Sequence, residues 1–179
     1  NSPQTRKLTA ELADGWVPTG LTPRLYSKYA KEIDKLAERK GRNRIEKVYE
    51  IFLSTSSDVG VAEGIAKLVG GMLCLKPGIL GEHGIEVPRD LSLKRYFQAS
   101  FPELEEIQPE MIELVQKIPI QVIKGTAAFG TVDDCVGALE RFVEAGVEHF
   151  VIESLGPDYE GSIRIFAEKM IPYLREQHE

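Results

Sequence analysis

The chain has 179 residues, 42% of them hydrophobic and 28% charged, which excludes a disordered, collagen-like or coiled-coil protein. Its formal net charge of −6 argues against a broad nucleic-acid-binding surface, although it permits a local anion site. With two cysteines outside any CxxC pattern and three histidines, no zinc-ligand spacing is present and no metal site is predicted.

The thiols, the apolar stretches and the first residues together predict a cytoplasmic location. Cys74 and Cys135 are predicted free thiols in a chain without a signal peptide, which fits a reducing compartment. The longest apolar stretch, residues 65–75, is interrupted by Lys67 and two glycines and is too short to span a membrane. We therefore expect a small-molecule substrate and neither a membrane nor a nucleic acid as partner.

Helical and strand-like periods alternate along the chain. Several predicted helices begin at a hydroxyl or acidic cap, and the first two carry proline at the next position. Long helices separated by short apolar strands indicate an α/β fold with parallel strands. The predicted helices begin near Ser2, Thr22, Ser57 or Asp58, Glu103, Thr131 and Asp158, and the predicted strands cover residues 16–18, 45–54 and 147–155.

The number of strands is low for such a fold. Three strands are clear, and residues 118–123 would add a fourth, since they alternate and are rich in β-branched side chains. A helix precedes the first strand, so a further parallel strand is expected before Asn1.

Residues 76–100 form the least periodic stretch, and we expect an irregular insertion there within a single domain spanning residues 1–179. A lid or substrate loop has this character, because long irregular loops are often functional. A solvated charged loop has the same character and is the more common case. The chemistry-bearing side chains of the stretch are those of His83, Arg89, Lys94 and Arg95.

Four motifs in order resemble the luciferase-like oxidoreductases. One of them is a helix that ends in Ala-Asp-Gly and leads directly into a strand beginning at Trp16. The resemblance is closest to the coenzyme F420-dependent methylenetetrahydromethanopterin reductases, and the FMN-dependent monooxygenases share the pattern. The motifs are residues 2–5, 10–16, 21–23 with 41–42, and a closing block of 130–135, 142–147 and 156–158.

The resemblance implies both a fold and an activity. The family is a TIM (α/β)8 barrel, and the chain resembles only its C-terminal half, beginning just after the fifth strand. The family has a helix at residues 118–123, so the resemblance favours a helix over the strand. The implied function is that of part of an oxidoreductase that transfers hydride to or from a methylene-pterin or similar carbon centre. The implied cofactor is coenzyme F420, with FMN as the alternative.

The first candidate site is the start of the chain. A helix N-terminus presents unpaired N–H groups and a partial positive charge, which suit a phosphate. A plain helix cap is the alternative interpretation. In the resembling family this loop binds the cofactor phosphate, so the resemblance makes Asn1, Ser2, Pro3 and Gln4 the predicted cofactor-binding residues.

Further candidates follow the predicted strands, where barrel enzymes place their functional residues. Trp16 offers a ring for stacking and Thr19 a hydroxyl group, although a large aromatic residue is more often part of the core. Glu153 and Ser154 end the last strand, and Asp158 suits either a site or a helix cap.

Gly130 and Thr131 form the last candidate, an anion cradle or simply a helix cap. No residue of the chain is an evident general acid or base, so the catalytic residues stay unassigned.

Two rival interpretations remain open beside an F420-dependent oxidoreductase. One is a fragment of an FMN-dependent luciferase-like monooxygenase. The other is a non-catalytic half-barrel that self-associates, because a half-barrel leaves strand edges and an apolar face uncovered. We expect either a homodimer or pairing with a missing N-terminal half.

Overall fold

The computed structural model describes residues 2–56, 58–74, 76–87, 109, 112–156 and 158–178. The predicted insertion and the predicted helix from Glu103 lie partly outside these residues, and Arg89, Lys94 and Arg95 lie wholly outside them. The strands are β1 (Gly15–Trp16), β2 (Glu46–Thr55), β3 (Ala128–Gly130) and β4 (His149–Ser154). The helices are α1 (Pro3–Leu12), α2 (Pro23–Glu38), α3 (Val59–Cys74), α4 (Pro77–Gly81), α5 (Ile120–Lys124), α6 (Val132–Glu144), α7 (Tyr159–Ile165) and α8 (Ile171–His178).

Among the described residues, all strand pairs are parallel, and each involves β2. On one edge β4 pairs with β2 from Val48 to Leu53. On the other edge, the N–H of Glu50 donates to a carbonyl just after β1 and the N–H of Ser56 donates to Gly130 in β3. Because alternate residues of a strand hydrogen-bond to opposite edges, β1 and β3 lie one after the other along the same edge of β2. The predicted α/β fold with parallel strands is confirmed.

The core lies between the sheet and the helices. Tyr49 points from β2 toward the helices and stacks on Phe142 of α6, with ring centroids 4.1 Å apart. Trp16 is only 4% exposed and stacks on Tyr26 of α2 at 5.0 Å, so it is a core residue. These stacked rings pack α2 and α6 against the sheet.

The predicted helix caps are present. Ser2, Thr22 and Asp158 each accept a backbone N–H of the first turn of their helix. Thr131 and Asp134 cap α6 reciprocally as a capping box, and the hydrogen bonds from Thr131 lower the pKa of Asp134. Before this cap, Gly130 has φ of 129° and leaves room for the Asp134 carboxylate, since a Cβ there would lie 2.5 Å from its Oδ2.

Residues 118–123 are largely helical, within and just before α5, so the expectation from the family resemblance was correct and the strand was not. The last predicted helix is divided. A π-helical turn, Phe166–Met170, separates α7 from α8. Pro172, the second residue of α8, has no N–H to donate to the preceding turn, which favours an irregularity there.

The long connection between β2 and β3, which we call the excursion, starts and ends at the carboxyl end of the sheet. It leaves after Thr55 and returns at Ala128, and Thr55 lies opposite Gly130. Within it, α3 packs on β3 and α5. No helix in the described ranges is long and apolar enough to cross a lipid bilayer.

The buried Tyr49 hydroxyl joins three segments of this arrangement. It accepts from the N–H of Leu21 at 3.0 Å, and the carbonyl oxygens of Leu21 and Thr126 lie 2.8 Å and 3.0 Å from it. Burial raises the pKa of Tyr49, so the hydroxyl stays protonated as a donor. The loop after β1 and the residues before β3 are thereby held to β2.

Tyr49→Phe should lower the free energy of unfolding by about 1–3 kcal/mol, because it leaves buried backbone groups without a partner. Tyr173→Phe is the matched control: Tyr173 is 40% exposed and its hydroxyl donates to Glu140 at 3.0 Å, so the loss of this hydroxyl should cost about 0.5 kcal/mol or less. Urea denaturation measures both. Equal effects of the two substitutions would contradict the role of Tyr49.

Candidate functional site

The carboxyl ends of the parallel strands meet at one end of the sheet, which we call the mouth. A cleft of about 480 Å³ opens there. Its walls are Thr55 from β2, Thr131 at the start of α6, Gly156 after β4 and the apolar side chains of Val61 and Ile65 from α3. Part of the excursion between β2 and β3 therefore forms one wall of the mouth.

Three helices that start at the cleft carry their own carboxylate there. Asp58 accepts the N–H of Gly60 at 2.8 Å, and Asp158 accepts the N–H of Gly161 at 2.9 Å. At α6, Asp134 of the first turn accepts the N–H of the cap residue Thr131 at 2.9 Å. Because these helix ends already hold a negative charge, they are poorly suited to a phosphate.

The helices α1 and α2 differ from these three. Each begins at a neutral hydroxyl cap and has no acidic residue in its first turn. The two run in the same direction, since Arg6 pairs with Glu32 and Glu11 with Lys40. As α2 starts just after β1, the start of α1 also lies toward the mouth end of the sheet.

The predicted cofactor-binding residues lie at this start of α1, except Asn1, which is outside the described residues. Ser2 Oγ accepts the N–H of Thr5 at 3.1 Å and lies 2.9 Å from Thr5 Oγ1. Ser2, Pro3, Gln4 and Thr5 are all exposed. Hydroxyl groups on an exposed, unacidified helix end fit a phosphate group chemically.

Buried hydroxyl groups without a partner mark the ends of three strands. They are Thr19 Oγ1 after β1, Thr55 Oγ1 in β2 and Ser154 Oγ in β4, each lacking a hydrogen bond within the described structure. Such groups are rare in folded proteins, since each costs free energy. Their common position indicates that the mouth of the sheet is built for a ligand.

The face of the sheet opposite the helices, which we call the open face, is partly uncovered. It carries residues that alternate with the core residues of the same strands. Val17 of the β1 segment is 57% exposed and Val151 of β4 is 46% exposed. Parallel sheets are usually covered on both faces, so these valines lie where further structure normally packs. The open face comprises Val17, Thr19, Val48, Glu50, Phe52, Val151 and Glu153.

The remaining sequence candidates divide by position. Ser154 belongs to the mouth as predicted, whereas Glu153 is exposed and lies on the open face. Asp158 and Thr131 are both helix caps and both also line the cleft. His83 is exposed in the turn after α4.

Two other features carry no site. A cleft of about 520 Å³ at the opposite end of the sheet includes Lys47 and Glu148. Lys47 pairs with Asp34 at 2.6 Å and Glu148 with Arg44 at 2.5 Å, so ion pairs within the protein account for these charges. Across the described residues, no cluster of three or more His, Cys, Asp or Glu side chains is placed to hold a metal ion.

Cys135 is a buried free thiol close to the carboxyl end of β2. Its sulfur lies 3.8 Å from the carbonyl oxygen of Ser54. Burial raises the pKa of the thiol to about 12, so the thiolate needed for nucleophilic chemistry does not form near neutral pH.

Sequence reasoning missed Thr55 and β3. Thr55 is followed by Ser56 and Ser57, a polar run that indicated only a strand end. β3 has three residues, too few for a detectable period.

Comparison with known proteins bears on this geometry. A model of the family described as luciferase-like monooxygenase matches residues 1–149. The F420-dependent secondary alcohol dehydrogenase in complex with an F420–acetone adduct is 21% identical, with a TM-score of 0.69 over 93% of this chain and 44% of that chain. The coenzyme F420-dependent tetrahydromethanopterin reductase from Methanopyrus kandleri is 20% identical, with a TM-score of 0.72 over 96% of this chain and 48% of that chain.

A long-chain alkane monooxygenase is also similar, at 20% identity and a TM-score of 0.57, over 98% of this chain and 39% of that chain. At such identities these likenesses concern the fold. The chain spans about half the length of the solved structures it matches, or less. The luciferase-like resemblance and the predicted partial-barrel fold class are confirmed.

Thr55→Val should leave the free energy of unfolding unchanged or raise it by about 1 kcal/mol, because it removes a buried hydroxyl that has no partner. The matched control is Thr126→Val, since the buried hydroxyl of Thr126 donates to Ile123 at 2.9 Å. That variant should lose about 1 kcal/mol. Chemical denaturation of both variants measures the difference, and a loss at Thr55 as large as at Thr126 would show that Thr55 has an internal partner.

Proposed function

Because the chain belongs to the luciferase-like monooxygenase family, we propose that it is part of a coenzyme F420-dependent oxidoreductase. The reaction is hydride transfer to or from a carbon centre such as a methylene-pterin. Two F420-dependent enzymes are among the solved structures of similar fold, and their TM-scores of 0.69 and 0.72 exceed the 0.57 of the alkane monooxygenase. That ranking supports F420 over FMN.

The observation that carries the proposal is the start of α1. It lies toward the mouth end, has the neutral cap Ser2 and lacks an acidic residue in its first turn. The starts of α3, α6 and α7 carry the carboxylates of Asp58, Asp134 and Asp158 instead. Both candidate cofactors bear phosphate, so an anion-accepting helix end at the mouth is what either one requires.

In this proposal Ser2, Pro3, Gln4 and the preceding Asn1 hold the cofactor phosphate. A bound deazaflavin or flavin supplies the hydride chemistry, as is general for such cofactors. The contribution of the chain is to orient the ring and to exclude water from the mouth. Val61 and Ile65 provide apolar wall there, and Thr55 provides an unpartnered hydroxyl.

An FMN-dependent monooxygenase is the second candidate function. The family description itself and the fold likeness to a long-chain alkane monooxygenase favour it. Binding measurements separate the two, because the cofactors differ in ring and tail but share the phosphate.

We also propose that the open face is covered in the working assembly. Two observations support this: Val17 and Val151 are exposed, and the outer edges of β1 and β4 have no pairing strand within the described part of the chain. Either a second copy or a separate half-barrel would provide the cover, and the mass of the purified assembly distinguishes them. A homodimer supports the first, and a larger partner chain supports the second.

Gln4→Glu tests the phosphate site. A carboxylate in the first turn of α1 should weaken FMN and F420 binding at least about tenfold through repulsion of the phosphate. The same change should raise helix stability by about 0.3–1 kcal/mol, because it complements the helix dipole. Fluorescence titration and thermal unfolding measure the two effects.

The control is Gln121→Glu, which makes the same substitution at the second position of another helix, α5. Its cofactor affinity should equal that of the wild type. The phosphate assignment is wrong if Gln4→Glu binds as tightly as this control. The cofactor assignment is wrong if FMN binds more tightly than F420.

A further inference from the structure

Lys76, just after α3, reaches the end of β1. Its ammonium group donates a hydrogen bond to the carbonyl oxygen of Thr19. The next residue, Gly20, has φ of 63°, and a Cβ there would lie 2.4 Å from Lys76 Nζ. A glycine at this position therefore provides the space that the lysine head occupies.

Two polar side chains close to this contact, those of Thr19 and Glu50, lie on the open face. Thr19 and Glu50 are opposite each other in the parallel pairing, so their side chains share that face. The Thr19 hydroxyl is buried and has no partner within the described structure. Phe52, two residues beyond Glu50, carries a half-buried ring on the same face.

The charge of this cluster determines what it can bind. Burial lowers the pKa of Lys76, and the nearby Glu50 carboxylate partly offsets that effect. The lysine and the glutamate together are close to neutral, so a full anion would gain little and would be repelled by Glu50. A neutral carbonyl oxygen avoids that repulsion and accepts hydrogen bonds from both an ammonium and a hydroxyl.

Lys76 retains the capacity for such a ligand. An ammonium has three N–H donors, and within the described residues the Thr19 carbonyl is its hydrogen-bond acceptor. Thr19, whose carbonyl binds Lys76, also carries the unpartnered hydroxyl, which supplies a further donor. Neither feature is needed merely to attach the end of α3 to β1.

We propose that Lys76 and Thr19 form a carbonyl-binding subsite on the open face, which takes a ring carbonyl of a planar heterocycle lying along Phe52. The identity of that heterocycle rests on the proposed function, in which it is the flavin or deazaflavin ring. The subsite is separate from the phosphate site at α1, so ring recognition and phosphate recognition are carried by different residues.

Riboflavin tests the subsite, because it has the ring carbonyls of FMN without the phosphate. Lys76→Met should weaken riboflavin and FMN binding by the same factor, about tenfold, since each loses the same charged hydrogen bond. Lys76→Arg keeps the charge and should restore most of the affinity. Lys28→Met, which removes an exposed lysine of α2, should leave both affinities unchanged.

Thr19→Val provides a second variant that does not depend on the lysine contact. It replaces a buried hydroxyl without a partner by a methyl group, so its unfolding midpoint should equal or exceed that of the wild type. Its riboflavin affinity should nevertheless fall several-fold. A purely structural threonine would not combine these two results.

The outcomes separate this proposal from the proposed function. If FMN and F420 bind but Lys76→Met and Thr19→Val change nothing, the subsite is wrong and the function stands. If riboflavin binding depends on Lys76 while the phosphate of FMN adds no affinity, the subsite stands and the phosphate site is wrong. If neither ring binds the chain, both proposals are wrong.

Discussion

Every described strand pair includes β2, so the position of this strand determines the rest of the structure. Successive side chains of a strand point to opposite faces, which gives β2 two roles at once. Tyr49 faces the helices, where its ring stacks and its hydroxyl holds the segments that precede β3 and follow β1. Glu50 and Phe52 face the other way and form the centre of the open face. Consecutive residues of β2 therefore contribute to the core on one face and to the open face on the other.

Helix capping sorts the helix ends at the mouth into two kinds. Asp58, Asp134 and Asp158 neutralise the partial positive charge of their own helices, an interaction worth about 0.3–1 kcal/mol each when exposed. A phosphate placed at those ends would meet a carboxylate. The hydroxyl caps Ser2 and Thr22 satisfy backbone donors without adding charge. The N-termini of α1 and α2 are thus capped without a carboxylate, so both can still bind an anion.

Local signals made much of the fold predictable, and tertiary contacts account for the rest. The Ser2-Pro3 and Thr22-Pro23 starts and the Thr131 cap were correct because capping depends on neighbouring residues. Residues 118–123 alternate as a strand would, and only the family resemblance favoured the helix that is present. Of the candidate site, Ser154 was predicted from its strand, whereas Lys76 was only the first residue of the irregular stretch 76–100. Its role depends on the register of β1 against β2, which no local pattern encodes.

The distribution of unpartnered hydroxyls links stability to function. Thr19, Thr55 and Ser154 each forfeit a hydrogen bond in a buried position, a loss of about 1–3 kcal/mol per group. Such losses persist only where the surrounding structure is strongly determined. The stacked rings of Trp16, Tyr26, Tyr49 and Phe142 provide that determination on the helix-facing side of the same strands. Because the core fixes the strands from one face, the hydroxyl groups at the strand ends can remain without a hydrogen-bond partner. A ligand that accepts hydrogen bonds from these hydroxyls would recover the free energy that the unliganded fold lacks.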